Sequence, residues 1–196
     1  MEQAVPLRKL RCKKPRLFLV HFHGRAYVFK DVAHMRGWRR LLARWLLRRE
    51  ERAYRELSGL HGIPRCYGFV DRDALLLSYL DGEVLRRESV SLQASDYFES
   101  LREIVASIHQ RGYLHLDLGH RSNLLVLKDG SPGIVDFGSA ILFASPPLLG
   151  WLGQWVDLRS VRRLETRYGR QDETLDTGLA RAKEGACAAE ALKRGA

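Results

Sequence analysis

Apolar and polar positions partly alternate over residues 17–30, LFLVHFHGRAYVFK, and the aromatic and β-branched content predicts two short strands around a His23-Gly24-Arg25 turn. From about Val32 to Leu60 the period becomes helical. Met35, Trp38, Leu41, Leu42, Trp45, Leu46, Ala53, Tyr54, Leu57 and Leu60 trace an apolar stripe, which predicts one long helix or two in series. Gly62-Ile63-Pro64 stops it, and CYGFVDRDALLLSYLDG reads as two strands turning at Asp71 to Asp73, with Asp81-Gly82 as a linker. A further helix is expected over ASDYFESLREIVASIHQRG. Ser95 or Asp96 would cap it, Phe98, Leu101, Ile104, Val105 and Ile108 would form its buried face, and Gly112 lies beyond its end. NLLVL and GIVDF then read as short strands joined through Lys128-Asp129-Gly130-Ser131. Asp157 to Tyr168 reads as a basic helix, and the Gly- and Ala-rich end after about Asp172 as poorly ordered.

Composition narrows the function classes. The 196 residues, 45% of them apolar, suffice for one domain or for two small lobes sharing a cleft. A formal charge of +10 favours an anionic partner: nucleotide phosphate, nucleic acid or an acidic membrane surface. Cys12, Cys66 and Cys187 are odd in number and far apart, which indicates neither a disulfide framework nor a Cys-x-x-Cys clip and fits a reducing cytosol. Leu17 to Phe22 is too short for a signal-peptide core, so no export is expected. Ala140 to Gly153 is broken by Pro146 and Pro147 and falls short of the roughly 20 residues of a membrane helix. His21, His23, His34 and His61 have no metal-binding spacing. The arginines at 36, 39, 40, 44, 48, 49, 52 and 55 are either the wet face of a helix or, with Trp38 and Trp45, a basic amphipathic surface that rests on anionic lipid.

Polar chemistry concentrates in GYLHLDLGHRSNLLVLKDGSPGIVDFGSA, where His115, Asp117, His120, Arg121, Asn123 and Asp136 fall within 29 residues. Asp117 belongs to the loop between a helix and a hairpin, and Asp136 to the far end of that hairpin's second strand. Two carboxylates flanking one hairpin can share a cleft. There one can ligate a divalent cation while the other orients a nucleophilic hydroxyl, the division of labour that phosphoryl transfer needs.

HLDLGHRSN followed by DFG, with Asp136 placed 19 residues after Asp117, resembles the catalytic loop and metal-binding motif of the protein-kinase-like fold. The short length and the pattern LHLDL…R.N.LV…DFGSA most resemble the small bacterial atypical kinases grouped with lipopolysaccharide (Kdo/heptose) kinases and RIO-type kinases. The resemblance spans roughly Tyr27 to Ala140. It implies an α+β, two-lobed kinase-like fold in a single domain over 1–196, with a reduced N-lobe of about 1–80, a short helical C-lobe of about 83–172 and a tail over 173–196.

The resemblance also implies residue roles. Asp117 matches the aspartate that receives or orients the substrate hydroxyl, Asp136 the aspartate that holds Mg²⁺, and His115 a histidine that supports the loop. The second metal contact normally follows the catalytic aspartate by five residues, which is Ser122 here; a one-residue insertion assigns it to Asn123, whose amide oxygen is the better hard ligand. Arg121 matches an arginine near the transferred phosphate, or is a plain surface arginine. YVFK resembles the strand that ends in the phosphate-binding lysine, Lys30. EERAYREL resembles the helix that carries its glutamate partner, Glu50, with Glu51 as the runner-up. LLLSYLDG resembles the adenine-binding hinge, with Leu77 as gatekeeper and Ser78, Tyr79 and Leu80 offering backbone groups. Two family features are missing. Residues 10–29 contain Gly24 alone where a glycine-rich phosphate loop should precede Lys30, and no A-P-E motif follows among the 58 residues after Gly138.

The expectation is an ATP- and Mg²⁺-dependent kinase that phosphorylates a hydroxyl acceptor, foremost a sugar of a lipopolysaccharide-type glycolipid. It would be cytoplasmic and peripheral on the inner face of the cytoplasmic membrane, with an anionic lipid surface as partner and no specific nucleic acid. The alternatives are a Ser/Thr protein kinase with a protein acceptor and a nucleotide-binding pseudokinase. Lys30, Asp117 and Asp136 argue against the pseudokinase. The absent A-P-E motif and the tryptophan-bearing basic helix favour the glycolipid over the protein acceptor.

Overall fold

A computed structural model describes residues 4–10, 12, 14–90, 94–143 and 147–169. The first half builds β1 (Val5–Pro6), β2 (Arg16–Phe22), β3 (Arg25–Asp31), helix α1 (Gly37–Glu56), β4 (Cys66–Asp71) and β5 (Ala74–Ser78). The five strands form one antiparallel sheet in the order β1-β2-β3-β5-β4. Between β2 and β3 the turn is His23-Gly24, with φ of 49° and 73°, as a tight two-residue hairpin requires; Arg25 already belongs to the strand. Lys30 on β3 lies opposite Leu17 on β2 and Leu75 on β5, and its side chain meets α1.

Helix α1 is shorter than the sequence pattern predicts, beginning after Met35 and ending at Glu56. Its buried residues, Leu47, Glu50, Ala53 and Tyr54, all lie in the second half. Trp38, Leu41, Leu42 and Trp45, expected in the core stripe, are exposed. The arginines explain this. Arg40 and Arg44, one helical turn apart, both pair with Asp73 in the β4–β5 turn, so a polar face of the first half meets the protein and Trp38 and Trp45 stay exposed. The expected wet, lipid-facing row therefore loses Arg40 and Arg44.

The second half comprises β6 (Gly82–Val84), α2 (Arg87–Val90), α3 (Ala94–Gln110), β7 (Tyr113–Leu114), β8 (Leu124–Leu127), β9 (Pro132–Ile134), β10 (Ile141–Leu142) and α4 (Pro147–Tyr168). Of Asp81-Gly82, the expected linker, Asp81 lies in the irregular connection between the two sheets. Gly82 opens β6, which pairs with β8 in the β6-β8-β9 sheet, and a Cβ there would lie 2.5 Å from the Val126 carbonyl oxygen. Ser95 and Asp96 sit within the first turn of α3 rather than before it. Helix α4 starts ten residues ahead of the expected Asp157, because Pro147 opens a helix that it would break from inside. The expected disordered tail, like Cys187, lies outside the described residues.

A single cluster of buried side chains joins the halves: Leu47, Tyr54 and Leu57 around α1, Leu75 and Leu77 of β5, Phe98, Leu101, Val105 and Ile108 of α3, and Val161 and Leu164 of α4. Gly62 supports the junction. Its carbonyl accepts the Ile134 N–H at 2.8 Å, its φ is 73°, and a Cβ would stand 2.2 Å from the Pro132 carbonyl oxygen. Among the described residues, four α-helices with antiparallel sheets make this an α+β fold, and no helix is long and apolar enough to cross a membrane.

Candidate active site

Strand β3 delivers Lys30 into the interior, where a lone ammonium would be costly. Its Nζ donates to both oxygens of Glu50 at 2.7 Å and to Asp136 Oδ1 at 2.9 Å. Burial alone would push the Lys30 amine down, but the two carboxylates outweigh it and hold it above its ordinary value. The same ammonium holds Asp136 below the usual carboxylate range. Of the two glutamates left open by the sequence, Glu50 takes the lysine, whereas Glu51 pairs with Arg55 one turn along the helix.

Asp117 sits beyond β7 in an irregular loop. Its Oδ1 lies 2.6 Å from His120 Nδ1 and its Oδ2 accepts the Asn123 amide at 2.8 Å. A carboxylate can only accept, so an ionised Asp117 fixes the proton of His120 on Nδ1. Asn123 also donates to the Asp117 carbonyl at 3.0 Å. His115 is buried, accepts the Asp117 N–H on Nδ1 at 3.3 Å and turns Nε2 toward the Val135 carbonyl at 3.3 Å. Burial pushes its pKa down and keeps the ring neutral, which fits support rather than proton transfer.

Two further residues pin this centre. Asp157 of α4, 1% exposed, accepts the His115 N–H at 2.9 Å, the Leu116 N–H at 2.8 Å and His109 Nε2 at 3.1 Å. Tyr54 of α1 accepts the Asp136 N–H at 3.0 Å. Tyr54 also meets Phe137 edge-on at 5.0 Å, and Phe137 meets His115 at 4.7 Å. The sequence reading gave neither Asp157 nor His120 a role. His120 was visible in the motif as a polar residue three positions from Asp117. Asp157 gave no signal, since a single aspartate in an amphipathic helix looks like surface.

A cavity of about 490 Å³ collects Lys30, Glu50, Asp117, His120, Ser122, Asn123 and Asp136 with Leu77, Ser78, Tyr79 and Leu80. Arg121 is not brought there; it is exposed on a 3-10 turn outside the lining. At the expected hinge the Ser78 N–H donates to the Arg65 carbonyl at 2.8 Å and the Tyr79 N–H to the Ala26 carbonyl at 3.3 Å, so both are engaged within the protein.

Two oxygens at this centre could hold a hard cation. Asp136 uses Oδ1 on Lys30 yet keeps a side chain 44% exposed, and Asn123 donates through its NH₂ while its Oδ1 has only a long contact, 3.4 Å, to the Ser122 hydroxyl. Two hard oxygens in one cavity fit a cation that keeps several waters and takes its remaining ligands from phosphate. Among the described residues no group of three or more His, Cys, Asp or Glu side chains builds a closed metal cage. No protein-family model matches this chain, and comparison with curated proteins gives no match.

Proposed function

We propose that this chain is an ATP- and Mg²⁺-dependent phosphotransferase of the protein-kinase-like class that acts on a sugar hydroxyl of a lipopolysaccharide-type glycolipid. One observation carries the reading: Lys30, clamped between Glu50 and Asp136, lines the same cavity as Asp117, clamped between His120 and Asn123. A lysine on the third strand of the sheet and its glutamate on the following helix agree with a kinase-like N-lobe. Helices α3 and α4 beneath the Asp117 loop agree with a reduced C-lobe.

In this reading Lys30 meets the α- and β-phosphates, and Leu77 and Leu80 flank the adenine. Asp136 and Asn123 would hold Mg²⁺, which would draw charge from the phosphate oxygens. Asp117 orients the acceptor hydroxyl. As the new oxygen–phosphorus bond forms, the bond from the γ-phosphorus to the ADP oxygen breaks, and the hydroxyl proton passes to the Asp117 carboxylate. His120, 2.6 Å from Asp117 Oδ1, lines the cavity, whereas Arg121 does not.

A second chamber of about 910 Å³ opens from Lys30, Glu50 and Asp136 and is walled by Arg36, Trp38, Arg39 and Leu42. Apolar and cationic walls together suit an anionic amphiphile better than a flexible peptide, which favours the glycolipid acceptor. Exposed Trp38, Leu41, Leu42 and Trp45, with Ile141 and Leu142 just after the Asp136 motif, supply a surface for anionic lipid.

The test is transfer of radiolabelled phosphate from ATP to purified glycolipid, membranes and generic protein acceptors. Asp117→Asn and Asp136→Asn are each expected to abolish transfer by folded protein, and Asp136→Asn alone to weaken Mg-ATP binding. Wild-type rates in either variant overturn the assignment. Transfer to protein but not glycolipid replaces the acceptor, and ATP binding without transfer to any acceptor replaces the enzyme with a pseudokinase.

A further inference from the structure

The centre just described has a charge problem. Lys30 carries one positive charge against the two carboxylates it touches, Glu50 and Asp136, so the trio is net negative where phosphates would arrive. The usual remedy, a cradle of glycine backbone amides ahead of the lysine strand, has no counterpart in the sequence.

The connection between β1 and β2 brings Arg8 and Lys14 to the edge of this place. It is tied to the sheet by the pairs Val5 with Leu19 and Pro6 with Phe18, and by the Leu7 N–H to the Leu17 carbonyl at 2.9 Å. Leu7 and Leu17 line the smaller cavity. From this connection Arg8 and Lys14 line both the smaller and the larger chamber, a property they share with Lys30, Glu50 and Asp136. Among the described residues Arg8 is braced through Nη2 to the Pro15 carbonyl at 2.6 Å, and the rest of its guanidinium fork can meet a ligand. Adding Arg8 and Lys14 reverses the sign of the trio.

Resting on the phosphotransferase reading, we infer that the β1–β2 connection grips the polyphosphate through the side-chain charges of Arg8 and Lys14 in place of a glycine-rich backbone cradle. A side-chain grip differs from a backbone cradle in measurable ways. It recognises charge rather than close backbone shape, so inorganic tripolyphosphate should compete with ATP. It relies on partly exposed cations, so affinity should fall steeply as salt rises. The adenosine end should be indifferent to it.

The experiment is calorimetric titration of the full chain with Mg-ATP, adenosine and tripolyphosphate at low and high salt, for wild type, Arg8→Gln, Lys14→Gln and the double variant, with thermal melting as the folding control. Each single change is expected to weaken Mg-ATP and tripolyphosphate by about tenfold, and the pair by more, with adenosine unchanged and the salt dependence flattened. Lys14 is exposed and, among the described residues, forms no hydrogen bond or ion pair, so Lys14→Gln remains a fair test if Arg8→Gln shifts the strap. Unchanged ATP affinity in the double variant, with Asp136→Asn still weakening it, overturns this inference and leaves the phosphotransferase standing. Equal losses for ATP and adenosine overturn it too. Failure of the wild type to bind either Mg-ATP or tripolyphosphate removes both readings.

Discussion

Asp157→Asn isolates the hold of α4 on the Asp117 loop. The carboxylate is 1% exposed and accepts from two backbone N–H groups, at 2.8 and 2.9 Å, and from His109 Nε2 at 3.1 Å. Asparagine keeps the shape but turns one acceptor into a donor, which must face either the Leu116 N–H or the His115 and His109 pair. At least one buried donor then has no acceptor, at about 1–3 kcal/mol, and the remaining bonds lose their charge assistance. A total of about 3 kcal/mol follows, a large share of the roughly 5–15 kcal/mol of a domain, which leaves the protein folded but weakened. With a urea slope of about 2 kcal/mol per molar, the midpoint should drop by about 1.5 M. Turnover should fall as well, because Leu116, at φ 61°, precedes Asp117 and is held there by this carboxylate. Mg-ATP affinity should hold, since Asp157 touches neither Lys30 nor Asp136. An unchanged urea midpoint refutes the hydrogen-bond argument, and a loss of ATP affinity equal to the loss of turnover refutes the division of roles.

Lys30→Met strands Glu50 in a buried place; the expected cost is on the order of 3 kcal/mol, with a raised KM for ATP, lowered turnover and a milder version in Glu50→Gln. An unaltered KM in Lys30→Met would show that the lysine does not meet ATP. Arg44 and Arg40 hold Asp73 below the ordinary carboxylate range, so its stabilising effect is complete above the unfolded value of about 3.9 and fades as acid pulls the pH through the folded value. Asp73→Asn should therefore flatten the acid limb of a urea-stability profile, and an equally steep limb would assign it to other carboxylates. Vesicles of anionic lipid should retain the protein at low salt and release it as salt rises, with Trp38→Ser plus Trp45→Ser weakening retention. Arg40 and Arg44 are unsuitable for that test because changing them unties Asp73, and a wild type that never binds vesicles sinks the lipid surface.

The parts of the site carried by contiguous spacing could be read from sequence, and the parts set by distant partners could not. Lys30, Asp117 and Asp136 stood out because each occupies a short, ordered motif. Glu50 and Glu51 could not be separated, since both begin the same helical pattern and the choice depends on which side of α1 faces β3, 20 residues earlier. The outward tryptophans were misplaced for a related reason: they look like core until Asp73, 33 residues beyond Arg40, draws the arginine face inward. Asp157 was expected at the start of its helix, where it would look like surface, but lies mid-helix in α4 with its carboxylate turned to the Asp117 loop. The pair β7 and β10 is two residues long on each side, too short for any alternation to register.

Leu116 and Asp136 share a backbone feature that explains how the two carboxylates are kept in register. Both are non-glycine residues at positive φ, 61° and 66°, a conformation that costs about 1–3 kcal/mol and persists only where its surroundings enforce it. Each is enforced through its N–H from a different helix: Leu116 by Asp157 of α4, and Asp136 by Tyr54 of α1. Between them runs the buried column Tyr54, Phe137 and His115, whose last member accepts the Asp117 N–H. Because Glu50 and Tyr54 lie one turn apart on α1, any shift of that helix loosens the grip on Lys30 and on the Asp136 backbone together. Asp117 would stay anchored through Asp157. Helix α1 therefore holds the Lys30 and Asp136 half of the site, while α4 holds the Asp117 half through Leu116 and His115.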